Sequence, residues 1–323
     1  MATIVLFIGL DHIETPCPAM PAVHKLRRAG SVSAAVVARA VPTVCGCEIT
    51  FNDQRGRAMS TLEGQVAWIT GAGSGIGEAS AHALAALGAT VVLTGRRKEP
   101  LQVVAAAIEA SGGTAWVQAG DLARAATARR IVAAIDKRFG RLDIVVNNAG
   151  VNVLERAWSR LSPDSVDQVM GANLSGAFYC VIAALPVMRR QRNGVLIHTA
   201  SWAGRFVSPL SGPAYTASKH AVVAMSYSLN MEEFVNGIRS TVICPGEVAT
   251  PILDKRPVPV SAADRARMLQ SDDLARTIAH VATAPAHVCI NEIVISPTWN
   301  RGFARQLGVA VPAGAATRGR RKK

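Results

Sequence analysis

Seven short apolar runs, at residues 66–70, 90–94, 115–118, 144–147, 195–199, 241–244 and 292–295, are rich in valine and isoleucine and show no alternation with polar positions. Strands of that kind are covered on both faces, as in a parallel sheet. Between them lie stretches at 76–87, 101–110, 125–139, 166–188, 214–234 and 272–284, whose apolar positions fall at helical spacing and which are long enough to serve as crossover helices. The order of these elements predicts an α/β fold: one doubly wound domain around a parallel sheet of about seven strands.

Ahead of residue 60 the pattern is missing. Prolines stand at 16, 18, 21 and 42 among scattered arginines, with no sustained period. Residues 1–58 are therefore expected to be a poorly ordered extension, upstream sequence read through a misassigned start, with Met59 fitting an ordinary start just before the first strand. Residues 59–300 are expected to form the single folded domain. A run with leader-like character, Lys25, Arg27 and Arg28 before the apolar stretch 29–44, is interrupted by Arg39.

Half of the 323 residues are apolar and 18% are charged, which excludes a disordered or small disulfide-stapled chain. The formal charge of +13 is uneven. Residues 301–323 hold seven basic side chains and no acid, whereas 61–300 hold 22 against 18. The basic character thus belongs largely to a C-terminal tail, read as a solvated terminus; it lacks the interleaved aromatics of a nucleic-acid contact. No pair among Cys17, Cys45, Cys47, Cys180, Cys244 and Cys289 has redox or zinc spacing, so reduced thiols and a cytoplasmic protein are expected. His82, His198, His220, His280 and His287 are not spaced as metal ligands, and no metal is expected. No apolar run approaching roughly 18–20 residues is apparent, so no membrane partner is expected.

Candidate chemistry begins at Thr70-Gly71-Ala72-Gly73-Ser74-Gly75-Ile76-Gly77, between the first strand and the first helix. Glycines there let the backbone turn tightly and approach a pyrophosphate, which meets the free amides of the helix start. The generic G-x-G-x-x-G spacing fails, because Ile76 or Glu78 occupies its third glycine position. The second strand ends in Thr94-Gly95-Arg96-Arg97, where a carboxylate would hold the ribose hydroxyls of NAD. With Arg96 and Arg97 there instead, a 2′-phosphate is favoured, hence NADP over NAD, the competing reading being a basic loop facing water.

Three further strings, Asn147-Asn148-Ala149-Gly150, Tyr215-Thr216-Ala217-Ser218-Lys219, and Pro245-Gly246 with Thr250, complete the set. In order and spacing the sequence from about Leu62 to Trp299 resembles the short-chain dehydrogenase/reductase family, which uses the glycine spacing of Gly71, Gly75 and Gly77. The resemblance implies a Rossmann-type fold and an oxidoreductase moving hydride between NADP(H), or NAD(H), and a small or medium alcohol or carbonyl compound. It implies a cofactor site of Gly71, Ser74, Gly75, Ile76, Gly77, Arg96, Arg97, Asp121, Asn148, Ala149, Gly150, Pro245, Gly246, Val248 and Thr250, together with Tyr215 and Lys219, with Asp121 on the adenine amino group. It implies the catalytic set Asn173, Ser201, Tyr215 and Lys219, with Asn173 anchoring a water that relays protons to Lys219. A homodimer or homotetramer is expected by the same analogy.

The residue types suit those roles. Tyr215 and Lys219 are four apart in a helical stretch and share a face. A free tyrosine has a pKa near 10, and a neighbouring ammonium is expected to lower it. The Ser201 hydroxyl can donate to a ketone or accept from an alcohol; Ala200 stands where family members often carry a second serine. The loop after Gly150, with Asn152, Val153, Leu154 and Trp158, and residues 247–269 are expected to border the substrate. Trp68, Trp116 and Trp299 are expected to be core or packing residues, not stacking platforms. A catalytically silent dinucleotide-sensing regulator is the rival reading, and the intact catalytic set argues against it.

Overall fold

The structure, a computed structural model, describes residues 62–256 and 259–308. The expectations for 1–58 and for residues 309–323 of the basic tail lie outside the described residues.

Seven strands form one parallel sheet: β1 Val66–Thr70, β2 Thr90–Thr94, β3 Thr114–Val117, β4 Ile144–Asn147, β5 Gly194–Thr199, β6 Ile238–Pro245 and β7 Glu292–Ile295. Their spatial order is β3-β2-β1-β4-β5-β6-β7. The helices are α1 Gly75–Ala86, α2 Lys98–Ala110, α3 Ala125–Phe139, α4 Pro163–Met170, α5 Gly176–Gln191, α6 Pro213–Glu233, α7 Ala262–Arg267, α8 Ser271–Thr283 and α9 Arg301–Gln306.

Lack of alternation in the strands has its cause in two cores. Ala67 and Ile69 of β1 join Leu84, Leu101, Ile108, Leu274 and Ile278 on the side of α1, α2 and α8. Val66 and Trp68 join Ile131, Ile135, Val181, Leu185 and Met188 on the side of α3 and α5. Each fully buried Ile, Leu or Val contributes about 1.5–3 kcal/mol, so both faces hold the sheet. At the foot of the sheet the buried Asp143 carboxylate accepts from the Val66 amide at 2.8 Å and from Arg141 Nε at 2.8 Å, joining β4 to β1.

Two expectations change in detail. The stretch 166–188 is not one α-helix: a π-turn, Gly171–Ser175, separates α4 from α5. By length and composition the whole run Pro163–Gln191 is apolar enough to cross a bilayer, contrary to the expectation that no run was. Its apolar positions Cys180, Val181, Ala184 and Met188 belong to the core, which is why a sheet-covering helix carries them. Of the tryptophans, Trp68 is fully buried in the core, and Trp299, 36% exposed, packs under the Arg267 guanidinium.

The order in which successive strands are added reverses between the parallel neighbours β1 and β4, and the crevice opens beyond their carboxyl ends. That is where open α/β sheets bind ligands. Every site residue below sits along this edge.

Candidate active site

Thr70, the last residue of β1, organises the floor. Its hydroxyl donates to the Val146 carbonyl at 3.2 Å and accepts from the amides of Asn148 at 2.9 Å and Ala149 at 3.0 Å. The Asn148 side-chain amide donates back to the Thr70 carbonyl at 3.2 Å. The turn after β4 is thereby fixed against the glycine turn after β1. A Cβ on Gly77 would lie 2.3 Å from the Gly71 carbonyl oxygen, so α1 packs on the turn only without a side chain there. The α1 N-cap, Ser74, makes no side-chain cap, which leaves the first helical amides available to an anion.

A cavity of about 290 Å³ runs from this turn into the substrate side. Gly71, Ser74, Gly75, Ile76, Asn148, Ala149, Gly150, Ser201, Tyr215, Lys219, Pro245, Gly246, Val248 and Thr250 all line it. Gly77 lies behind the turn, Arg96 and Arg97 are exposed at the carboxyl end of β2, and Asp121 is exposed beyond β3, its Oδ1 accepting from the Ala123 amide at 3.1 Å. The amide of Gly120 donates to the Gly95 carbonyl at 3.0 Å, which holds the ends of β2 and β3 together. The glycine turn, the uncapped helix start and this basic edge are the donor set that a dinucleotide phosphate chain requires, so the residues present fit such a cofactor.

Helix α6 starts at Pro213, whose fixed φ suits the first helical position, after Gly212 at φ 78°. One turn in, it presents Tyr215, Ser218 and Lys219. The Lys219 Nζ is buried, donates to the Thr199 carbonyl at 2.8 Å and lies 5.6 Å from the centre of the Tyr215 ring. Burial brings its pKa down to about 8. Ser201 Oγ accepts from the Ala203 amide at 3.1 Å and shares a hydrogen bond with Tyr215.

The expectation that Lys219 lowers the Tyr215 pKa is corrected. Burial raises it, and what pulls against burial is the bond to Ser201 and the charges of Arg156 and Arg256. Lys219 directs its amine at a backbone carbonyl instead. The physical reason is desolvation: a phenol enclosed by protein resists becoming an anion.

Asn173 sits in the π-turn and is 2% exposed. Its Oδ1 accepts from the Val151 amide at 2.7 Å, and its Nδ2 donates to the Val151 carbonyl at 3.0 Å and to Ser218 Oγ at 3.1 Å. A π-turn swings one side chain inward, which explains the asparagine inside an otherwise apolar helical run. The residue ties the loop after β4 to α6. Beneath it, His198 on β5 is fully buried and held neutral, its pKa lowered to about 3 by burial and by the charge of Lys219.

The substrate side differs from expectation. Asn152 lines the cavity, but Leu154 and Trp158 turn outward, at 58% and 82% exposure, and the buried member of that loop is Arg156. The loop is fastened to residues 208–212 by Asn152 Nδ2 donating to the Ser211 carbonyl at 3.0 Å and Arg156 donating to the Leu210 carbonyl at 3.3 Å. Across the cavity, Glu247 accepts from Arg256 at 2.6 Å and from Arg301 at 2.7 Å and 2.9 Å. Burial would raise the Glu247 pKa, but the two guanidiniums outweigh it and hold it at about 2. Arg301, the first residue of the expected basic tail, is thus bound into the pocket wall through α9, and also reaches Asp264 at 3.2 Å. Arg156, Arg256, Glu247 and Leu210 were not singled out from sequence. For Arg156, Arg256 and Glu247 the only signal was a charged residue inside segments already expected to border the substrate, and Leu210 had none.

Residues 65–258 match the short chain dehydrogenase family. An uncharacterised oxidoreductase of Staphylococcus aureus is 37% identical over 239 residues, 74% of this chain and all of that one. One of Staphylococcus epidermidis is 31% identical over the same extent. Among solved structures, a metagenomic short-chain oxidoreductase in complex with NADP is 33% identical with a TM-score of 0.65, covering 74% of this chain and 99% of that one. The alcohol dehydrogenase of the archaeon Thermococcus sibiricus, complexed with 5-hydroxy-NADP, is 26% identical with a TM-score of 0.66, covering 73% and 98%. Levodione reductase is 28% identical with the same score, covering 73% and 97%. The chain belongs to the short-chain dehydrogenase family and is an NAD(P)-dependent oxidoreductase of it.

Proposed function

We propose that the protein transfers hydride between NADP(H) and a small or medium alcohol or carbonyl compound, with Tyr215 as the general acid and base. The observation that carries this reading is that Tyr215, Ser201 and Lys219 share one cavity with the glycine turn. When bound, the nicotinamide dinucleotide supplies or accepts the hydride.

Ser201 orients the substrate oxygen next to the Tyr215 hydroxyl. In reduction the phenol gives that oxygen a proton; in oxidation it takes one back. Burial raises the phenol's pKa, so at neutral pH it carries the proton that the reduction direction requires. Lys219 holds a positive charge near the phenol and offers a donor toward the nicotinamide ribose. Asn173 is a positioning residue, since its bonds fix Val151 and Ser218 on either side of the reacting groups. Val248 and Thr250 border the nicotinamide end, with Thr250 toward its carboxamide.

NADP is preferred to NAD because Arg96 and Arg97 stand where a ribose-binding carboxylate would, and two similar structures carry NADP or a hydroxylated NADP. Asp121 is the candidate for the adenine amino group. Exposed Phe178 and Ile182 on α5, with Tyr227 and Met231 on α6, support a homo-oligomer.

The test is Tyr215→Phe. Carbonyl-dependent NADPH oxidation should fall by about 10²- to 10⁴-fold while NADPH binding, read by fluorescence, stays within a few-fold. Unchanged turnover would remove the assignment.

A further inference from the structure

The large polar side chains on the substrate side of the cavity are turned onto the protein itself. Asn152 is engaged at both ends, its Nδ2 donating to the Ser211 carbonyl at 3.0 Å and its Oδ1 accepting from the Val153 amide at 2.8 Å. Both carboxylate oxygens of Glu247 are taken, Oε1 by Arg256 and Arg301 and Oε2 by Arg301 again. Arg156 is 8% exposed and donates to the Leu210 carbonyl. Its stem lies so close to Gly212 that a Cβ there would stand 2.7 Å from the arginine Cβ, so Arg156 braces the start of α6.

What remains toward a substrate, beside the Ser201 and Tyr215 hydroxyls that meet its carbonyl, is mainly apolar. Val248 and Leu253 form the buried part of the wall. Leu210 and Ile252 line the same cavity yet are 41% and 38% exposed, so the apolar wall runs from inside the cavity out to its mouth. Directly after Ser201, Trp202 packs on Phe206 with ring centres 4.8 Å apart and meets Phe303 of α9 edge-on at 5.7 Å, and both phenylalanines are half exposed. Apolar surface left open to water in this way marks a binding groove. Its continuity with the cavity of the reacting groups identifies the occupant as the part of the substrate that does not react.

We propose that the substrate is a carbonyl compound, or its alcohol, with a single polar group and an apolar remainder that lies against Leu210, Ile252 and Leu253 while its oxygen meets Ser201 and Tyr215. This rests on the reaction proposed above. A second hydroxyl or a carboxylate on the substrate would lose water at this wall and find the polar side chains there already engaged, which leaves it buried without compensation. Each methylene removed from water strengthens binding by up to about 4-fold, so the length of the remainder sets the affinity. Reduction is balanced: the carbonyl carbon takes hydride from NADPH, its oxygen takes the Tyr215 proton, and an alcohol and NADP⁺ leave.

The test uses the full chain with NADPH and two readouts. In turnover, kcat/KM rises by about 10-fold or more across methyl ketones from butanone to 2-octanone. The branched ketone 5-methyl-2-hexanone exceeds levulinate, which carries a carboxylate in place of the branched end, by about 10-fold or more. By calorimetry on the NADPH complex, octanamide binds about 10-fold or more tightly than butanamide. Leu210→Ser and Ile252→Ser each lower the ratio of 2-octanone to butanone by about 3-fold or more, with thermal melts checking that each variant folds. A flat chain-length series with ketones still reduced would overturn the apolar wall and leave the reaction standing. Tighter binding of octanamide with no ketone reduced would leave the wall standing and remove the reaction. A preference for levulinate would overturn the single-polar-group assignment. An unchanged ketone ratio in both variants would overturn the placing of the remainder, and a change of sedimentation mass in its stead would give the rim to a second copy of the chain.

Discussion

The two ends of the crevice are built differently. At the cofactor end the contacts are backbone: Thr70 bonded to the amides of Asn148 and Ala149, Gly77 pressed on the Gly71 carbonyl, and helical amides left uncapped by Ser74. At the substrate end the wall is made of long side chains arriving from loops, Arg156 from one and Arg256 against Glu247 from another. A backbone-built site admits few residue types at each position. A wall of long side chains can be reached from many positions, so it varies more freely and decides specificity.

The largest effect expected from this contrast is at Gly77. Gly77→Ala should weaken NADPH binding by about 100-fold, because its Cβ has nowhere to go between the Gly71 carbonyl and the Asn148 amide. Fluorescence titration checks it, and wild-type binding would break the claim that backbone packing builds this end. A smaller effect belongs to the charged edge of the same end. Arg96→Ala with Arg97→Ala should weaken NADPH by about 10-fold and NADH much less, so equal loss of both would sink the 2′-phosphate assignment.

A third effect, read in stability and not in cofactor affinity, lies at the junction of the two ends, in Lys219. Its folded-state pKa of about 8 lies below the ordinary 10.5, so between those values the unfolded chain binds more protons and stability rises with pH. Below pH 8 the buried charge costs stability. Lys219→Met should therefore stabilise the fold at pH 7 by ~1–3 kcal/mol, offset in part by the lost bond to the Thr199 carbonyl, and should flatten the rise between pH 8 and 10.5 while turnover is lost. Denaturant melts across that range measure it; a variant less stable than wild type at pH 7 would show that the amine serves the fold.

The same contrast explains what was legible. The seven strands, the glycine turn and the pairing of Tyr215 with Lys219 follow from periodicity and spacing, because buried parallel strands and helical faces impose them on the sequence. Asn173 was legible as an asparagine in an apolar helical stretch, but the π-turn that carries it inward was not, since that depends on a local i→i+5 bond and not on composition. The loop of Asn152 was found, yet its apolar Leu154 and Trp158 were taken for its inner face, whereas Arg156 fills it. Loop direction follows from partners such as Ser211 and Leu210, some sixty residues away, and no local pattern encodes them.

Helix α9 gives the substrate segment an anchor far along the chain, since Arg301 grips Glu247 and Asp264 at once. Trimming the protein at residue 300 would spare every group that handles hydride or proton and would still release a rivet from the wall that selects what enters. The chain past the last strand therefore braces the cavity wall, and the proposed selectivity would depend on residues that no catalytic signature includes.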